Sequence, residues 1–193
     1  MDGIREKKEI SKQTLDEIRE KLKPLVPTER EFLICDSVPI GVPRGVICEV
    51  IGSARTEWIL NLLKQNSNLN TFWVEDQLTI LPTAIHQRGI NLSRVLMAEA
   101  GDKLFQTLRK GIRSKLFDCV VLPGEIEELK TLKALQLFAR ESNASVFFLS
   151  KNAKQAWAIP FQIDVNWNQN GRDYTVEVLK SKFNLNRAAS LLN

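Results

Sequence analysis

The residues best placed for chemistry lie in the run Gly52-Ser53-Ala54-Arg55-Thr56-Glu57-Trp58-Ile59, which follows the apolar stretch Val46 to Ile51 and opens a helical one. A glycine at the mouth of a strand-to-helix turn is where backbone amides converge on a phosphate. A GxxxxGK[ST] pattern would add a second glycine, an ammonium for the β and γ phosphates and a hydroxyl for magnesium. On that frame Gly52 fits, and the next three required positions fall on Glu57, Trp58 and Ile59. A carboxylate, an indole and a branched alkyl group stand where glycine, ammonium and hydroxyl are needed, so this turn is expected to repel a triphosphate. Trp58 then either fills the space a nucleotide would take or packs as an ordinary helix residue.

Other catalytic constellations are sparse. The single histidine, His86, is the one possible base for a His-dependent triad, and neither GxSxG nor HExxH accompanies it; it reads as a satisfied surface residue. Cys35, Cys48 and Cys119 sit far apart inside apolar runs without CxxC spacing, which supports neither a disulfide framework nor a zinc site and predicts reduced, buried fillers. No cofactor and no metal is expected.

These residues need a scaffold, and 193 residues with 44% hydrophobic and 26% charged side chains suffice for one good core with appendages. The 27 basic and 23 acidic groups leave a net charge of +4, which permits an acidic partner without demanding one. The start, MDGIREKKEISK, has no apolar core of a signal peptide, and the longest apolar stretches, such as Phe117 to Pro123, fall far below the roughly 20 residues of a membrane span. A cytoplasmic address without membrane contact is therefore expected.

Residues 4–23 read as a helix with Ile10, Leu15, Ile18, Leu22 and Leu25 on one narrow stripe, ended by Pro24 and Pro27. Phe32 to Cys35 is a short apolar piece, and SVPIGVPRG reads as an extended connector and tight turn. From there strand and helix alternate. Val46 to Ile51, Thr71 to Glu75, Val95 to Ala98, Asp118 to Leu122 and Ser145 to Leu149 are strands; Thr56 to Lys64, Pro82 to Arg88, Lys103 to Arg113 and Ile126 to Arg140 are helices. That alternation predicts an α/β fold, a mostly parallel sheet with helices on both faces. Phe161 to Trp167 and Tyr174 to Lys180, joined through Asn170-Gly171, add a C-terminal antiparallel hairpin. The expected division is an N-terminal helix and connecting strand over 1–35, a core over 36–183 and a tail over 184–193 that orders only against a partner.

The motifs PRGVICEVIG, FWVEDQLTILPTAIHQRGINLSRVLM, FDCVVLPG and YTVEVLKSKFN occur in this order, and together the stretch from Pro43 to about Phe183 resembles the RecA-type recombinase core. The resemblance implies a RecA-like fold. Where that family carries its catalytic carboxylate this chain has Gln77, with Glu75 and Asp76 beside it, and where the family carries a magnesium-directing aspartate it has Pro123. Neither replacement can do that chemistry, so a noncatalytic protein is expected. Among RecA-like proteins the eroded loop and the helix ahead of PRG resemble the ImuA group of SOS mutagenesis proteins. That likeness implies an accessory role in translesion DNA synthesis beside RecA and an ImuB-type polymerase homologue. The SulA family of cell-division inhibitors, whose partner is FtsZ, gives the second reading; the stretch TLRKGIRSKLFDCVVL is similar in both groups, and the N-terminal helix and the C-terminal VEVLKSK ribbon favour the ImuA group. An atypical ATP-binding enzyme is the third.

Two surfaces follow. The stripe Ile10, Leu15, Ile18, Leu22 and Leu25, together with Phe32, either packs on the chain's own core or meets a neighbour. The break at Pro24 and Pro27 favours the neighbour, which predicts self-association or RecA binding through residues 4–35. Arg109, Lys110, Arg113 and Lys115, with Lys180, Lys182 and Arg187, form either a weak single-stranded DNA contact or a solvated face, and no aromatic platform interleaves with them in the sequence. Trp73 reads as core; Trp157 and Trp167 read as core or as interface anchors.

Overall fold

Four- and five-residue apolar runs flanked by amphipathic helices become buried parallel strands, because a strand covered on both faces needs apolar side chains at every position. The computed structural model describes residues 31–124, 126–154 and 157–183. Its strands are β1 (Phe32–Leu33), β2 (Val42–Pro43), β3 (Ile47–Ile51), β4 (Thr71–Glu75), β5 (Val95–Glu99), β6 (Cys119–Leu122), β7 (Ser145–Leu149), β8 (Phe161–Trp167) and β9 (Tyr174–Ser181). The α-helices are α1 (Arg55–Gln65), α2 (Pro82–Gln87), α3 (Leu104–Arg113) and α4 (Leu129–Ser142).

Strands β3 to β9 form one sheet in the order β5-β4-β6-β7-β3-β8-β9. Every pair is parallel except β8 with β9, where the expected hairpin turns at Gly171 with φ of 63°. The expected α/β architecture with a closing antiparallel pair is thus observed. Helix α4 starts at Leu129 instead of Ile126, since Glu128 is still extended. Asn143 ends it in the left-handed region, a conformation asparagine tolerates.

The two faces of the sheet carry separate cores. Trp58, Ile59, Leu62 and Leu63 of α1 and Ile85 of α2 pack against Cys48, Val50, Trp73, Val121 and Phe147. On the other face Leu108 and Ile112 of α3 and Leu132, Leu135 and Ala139 of α4 cover Ile47, Phe72, Val120, Val146 and Phe148. Alternation along each strand sorts its residues between these cores. Cys35, Cys48 and Cys119 are buried and free, as the apolar runs around them imply.

The segment before β3 differs from a plain connector. β1 and β2 pair antiparallel, and Leu33, Cys35, Val38 and Val42 are buried in the α1 face of the core. Asn66 clamps β1 from the end of α1: its Nδ2 donates to the Ile34 carbonyl (2.8 Å) and its Oδ1 accepts from the Ile34 N–H (3.1 Å). Gln65 and Asp36 exchange two more hydrogen bonds, and the Trp58 indole N–H donates to Ser37 Oγ (2.9 Å). The chain divides into compact units Met1–Glu31 and Phe32–Asn193, so Leu33 and Cys35 belong with the sheet. Ile10, Leu15, Ile18, Leu22, Leu25, Arg187 and the tail 184–193 lie outside the described residues. Among the described residues no helix is long and apolar enough to cross a membrane.

Trp58 is the largest side chain joining this segment to the sheet. Trp58→Ala is expected to lower unfolding free energy by about 3–5 kcal/mol through loss of a fully buried ring. Ser37→Ala, which strands the indole N–H, is expected to cost about 1–3 kcal/mol. Urea unfolding followed by circular dichroism checks both.

Candidate functional site

In an open α/β sheet the ligand crevice lies at the carboxyl ends of the strands, and the turn after β3, an interior strand between β7 and β8, opens at that end. β3 ends at Ile51 and α1 begins at Arg55, so the turn is only Gly52, Ser53 and Ala54. The phosphate-loop frame laid over Gly52–Ile59 is therefore corrected: Arg55, Thr56, Glu57, Trp58 and Ile59 are already helical, and Trp58 and Ile59 are buried in the core. Of the two roles open to Trp58, the structure has helix packing, with the indole edge-on to Phe147 at 6.2 Å.

Gly52 has φ of 95°, and a β carbon there would run into the Val165 carbonyl oxygen and the Asp164 carboxylate of β8. The amides that follow are taken. Ser53 N–H donates to Asn166 Oδ1 (3.1 Å), and Ala54 N–H donates to the Val165 carbonyl (2.9 Å). The Ser53 hydroxyl accepts from Trp167 N–H (3.1 Å), and the Arg55 guanidinium folds back to donate to the Gly52 carbonyl (2.8 Å). Asp164 stands beside Gly52, held by Asn166 Nδ2 (2.7 Å). Glu57, in the first turn of α1, complements the helix N-terminus and pairs with Arg88 of the α2 end at 2.7 Å. The turn's amides are thus occupied, with the Asp164 carboxylate beside the glycine and the Arg55 guanidinium turned onto the Gly52 carbonyl.

Three further positions bear on chemistry. Glu75 is buried at the end of β4, where its oxygens accept from the Trp73 indole N–H (2.6 Å), Thr79 N–H (2.6 Å) and the Thr79 hydroxyl (2.7 Å). Asp76 and Gln77 are exposed beyond it, and Pro123 follows β6 half-buried. Glu49, in the middle of β3, is fully buried and was missed by spacing alone. It accepts from the Ser150 hydroxyl (2.9 Å), Lys154 N–H (2.9 Å) and Gln162 Nε2 (2.6 Å). Its signal in the sequence is one carboxylate inside the otherwise apolar run Ile47 to Ile51. Among the described residues no three His, Cys, Asp or Glu side chains group to hold a metal ion.

The predicted basic set separates into two groups. Arg109 and Arg113, one turn apart on α3, both lie over the Phe138 ring of α4, at 5.6 and 5.5 Å, with Lys110 exposed beside them. An open concavity of about 670 Å³ runs along this helix face from Phe105 to Ser114. Lys182 instead donates to the Trp157 carbonyl (2.7 Å) and lies 5.7 Å from that indole, while Lys133 of α4 lies 4.9 Å from it. Lys180 is half-buried; burial, then the neighbouring Lys182 charge, draws its pKa down. Aromatic rings do interleave with the cations, contrary to the reading from sequence, because Phe138 and Trp157 arrive from other elements. Trp157 is 59% exposed and is no core residue; Trp167, 39% exposed, packs edge-on against Tyr174 at 5.9 Å. Phe32 is exposed on the anchored β1.

Gly52→Ala is expected to cost at least about 2 kcal/mol, since left-handed backbone alone costs about 1–2 for a residue with a β carbon. A urea midpoint shift measures it. Burial pushes the Cys119 thiol up to about 12 and raises those of Cys48 and Cys35. Burial holds these thiols in the neutral form, and Ellman's reagent is expected to react with Cys48 and Cys119 only after unfolding. No protein-family model matches this chain, and no curated protein matches it.

Proposed function

We propose that this chain is a nonhydrolysing RecA-like module, an accessory protein of SOS-type translesion DNA synthesis that acts by binding RecA and an ImuB-type polymerase homologue. The observation that carries the nonhydrolysing part is the filled turn after β3. Both amides following Gly52 already donate to β8, and Asp164 stands beside the glycine. A phosphate cradle requires those amides to point into an open, electropositive crevice. The RecA-like part rests on the motif order from Pro43 to about Phe183 and is supported by the interior place of β3, paired in parallel with β7 and β8.

The binding role draws on β1. Asn66 and the buried Leu33 hold it rigid, so Phe32 projects from a fixed foothold at the point where residues 4–30 join the sheet domain. A partner that meets Phe32 meets an anchored side chain, and a rigid anchor loses little entropy on binding.

Isothermal titration with ATP and magnesium, with phosphate release measured alongside, is expected to show neither heat of binding nor turnover. In pull-downs with purified RecA, the polymerase homologue and FtsZ, RecA or the polymerase homologue is expected to be retained and Phe32→Ala to weaken retention about 10-fold, the scale of an aromatic anchor. Nucleotide turnover would make the chain an enzyme, and retention of FtsZ alone would make it a SulA-like division inhibitor.

A further inference from the structure

We propose that the concavity along α3 is a docking groove for an acidic amphipathic helix of a partner protein. Arg109 and Arg113 receive its carboxylates, and Phe105 receives an apolar side chain.

The described residues that line the concavity are Phe105, Gln106, Arg109, Lys110, Arg113 and Ser114, three cations and no carboxylate. Four other arginines of the fold are engaged: Arg44 pairs with Asp118, Arg88 pairs with Glu57, and Arg55 and Arg94 donate to backbone carbonyls. Arg109 and Arg113 differ. Among the described residues neither forms an ion pair or a hydrogen bond, and both guanidiniums lie instead over the single Phe138 ring. A guanidinium over a ring face keeps its in-plane N–H groups for a carboxylate, which takes two of them at once. The two like charges repel each other across that ring, and a carboxylate at each removes the repulsion.

Spacing sets the shape of the partner. Phe105, Arg109 and Arg113 follow one another at every fourth residue, a line about 12 Å long with rungs about 6 Å apart. A helix laid along α3 repeats its own fourth residues at the same interval, so two carboxylates one turn apart meet the two guanidiniums while an apolar side chain a turn further on meets Phe105. Both Phe105 and Leu137, the residue before Phe138 on α4, are exposed and give that helix an apolar footing.

A free anion would satisfy the arginines and leave Phe105 and Leu137 without a use. A nucleic acid would meet the cations, but Phe138 is half-buried with both guanidiniums over it and offers no open face to a base. An acidic helix with apolar residues uses the cations and the apolar footing together. This inference concerns the chemistry of the docked segment and stands apart from the partners proposed above, whose absence would leave it intact.

The test pans a phage-displayed library of random peptides, about 16 residues or four helical turns long, on the immobilised full chain. The most enriched peptide is then synthesised with fluorescein and titrated by anisotropy. Enriched sequences are expected to carry Asp or Glu together with Leu, Ile or Phe at spacings of three and four. Arg109→Glu, Arg113→Glu and Phe105→Ala are each expected to weaken binding about 5-fold or more, the scale of an interface anchor, whereas Arg172→Glu at the hairpin tip leaves it unchanged. Lysine in place of the peptide's carboxylates is expected to abolish binding to the unaltered chain and to restore it to the chain carrying both arginine reversals. An unchanged urea midpoint establishes that each variant is folded. The proposal is overturned if no peptide is enriched, if the enriched peptides lack acidic residues, or if they bind both arginine reversals as they bind the unaltered chain. Oligothymidine that binds through Arg109 and Arg113 more tightly than any enriched peptide would overturn it by making the groove a nucleic-acid contact. A dimer in light scattering that the two reversals dissociate would overturn it by making the occupant a second copy of this chain.

Discussion

The contact between Gly52 and β8 constrains everything around it. β8 pairs with β3 from Cys48 to Ile51 and runs past its end, so the Val165 carbonyl and the Asp164 side chain come up against Gly52. Only a residue without a side chain can turn there, and the next two amides find their acceptors in β8 itself. An amide that donates to the sheet is not available to an anion. The pairing that closes the sheet and the chemistry of the turn are consequently one geometry, and the proposed binding role follows from it.

A second constraint lies deeper. Burying the Glu49 carboxylate is costly unless its oxygens are satisfied, and donors from the end of β7, from the β7–β8 connection and from β8 converge to satisfy them. Three neighbouring stretches of chain are thereby tied to the middle of β3. Glu75 does the same for the turn after β4 through Trp73 and Thr79. Both carboxylates serve as joints of the fold, and the first fixes the root of the segment that presents Trp157.

Much of the architecture could be read in advance. Short apolar runs separated by amphipathic ones mark β3 to β7 closely, and Asn170-Gly171 marks the β8–β9 hairpin, because covered parallel strands and tight hairpins each impose a local pattern. The site was legible only in part. Glu57, Trp58 and Ile59 announce a turn without phosphate-binding side chains, yet the helix begins at Arg55 and shortens that turn to three residues. Local spacing does not reveal where β8 lies. The connector before β3 was read as extended, and it is instead pinned by Asn66, Gln65 and Trp58, polar and aromatic groups whose partners lie about 20 to 30 residues upstream.

By itself the sequence determined the α/β class, the order of strands and helices along the chain and the burial of the three cysteines. These depend on periodicity and on backbone sterics, which are properties of neighbouring residues. Tertiary structure alone decided that Asn166 meets Ser53 across 113 positions, that Asp164 stands beside Gly52, and that Lys133 and Lys182 share the Trp157 ring. Those meetings depend on the lateral order of strands in the sheet and on the packing of helices over it. A pattern of apolar spacing carries no record of either.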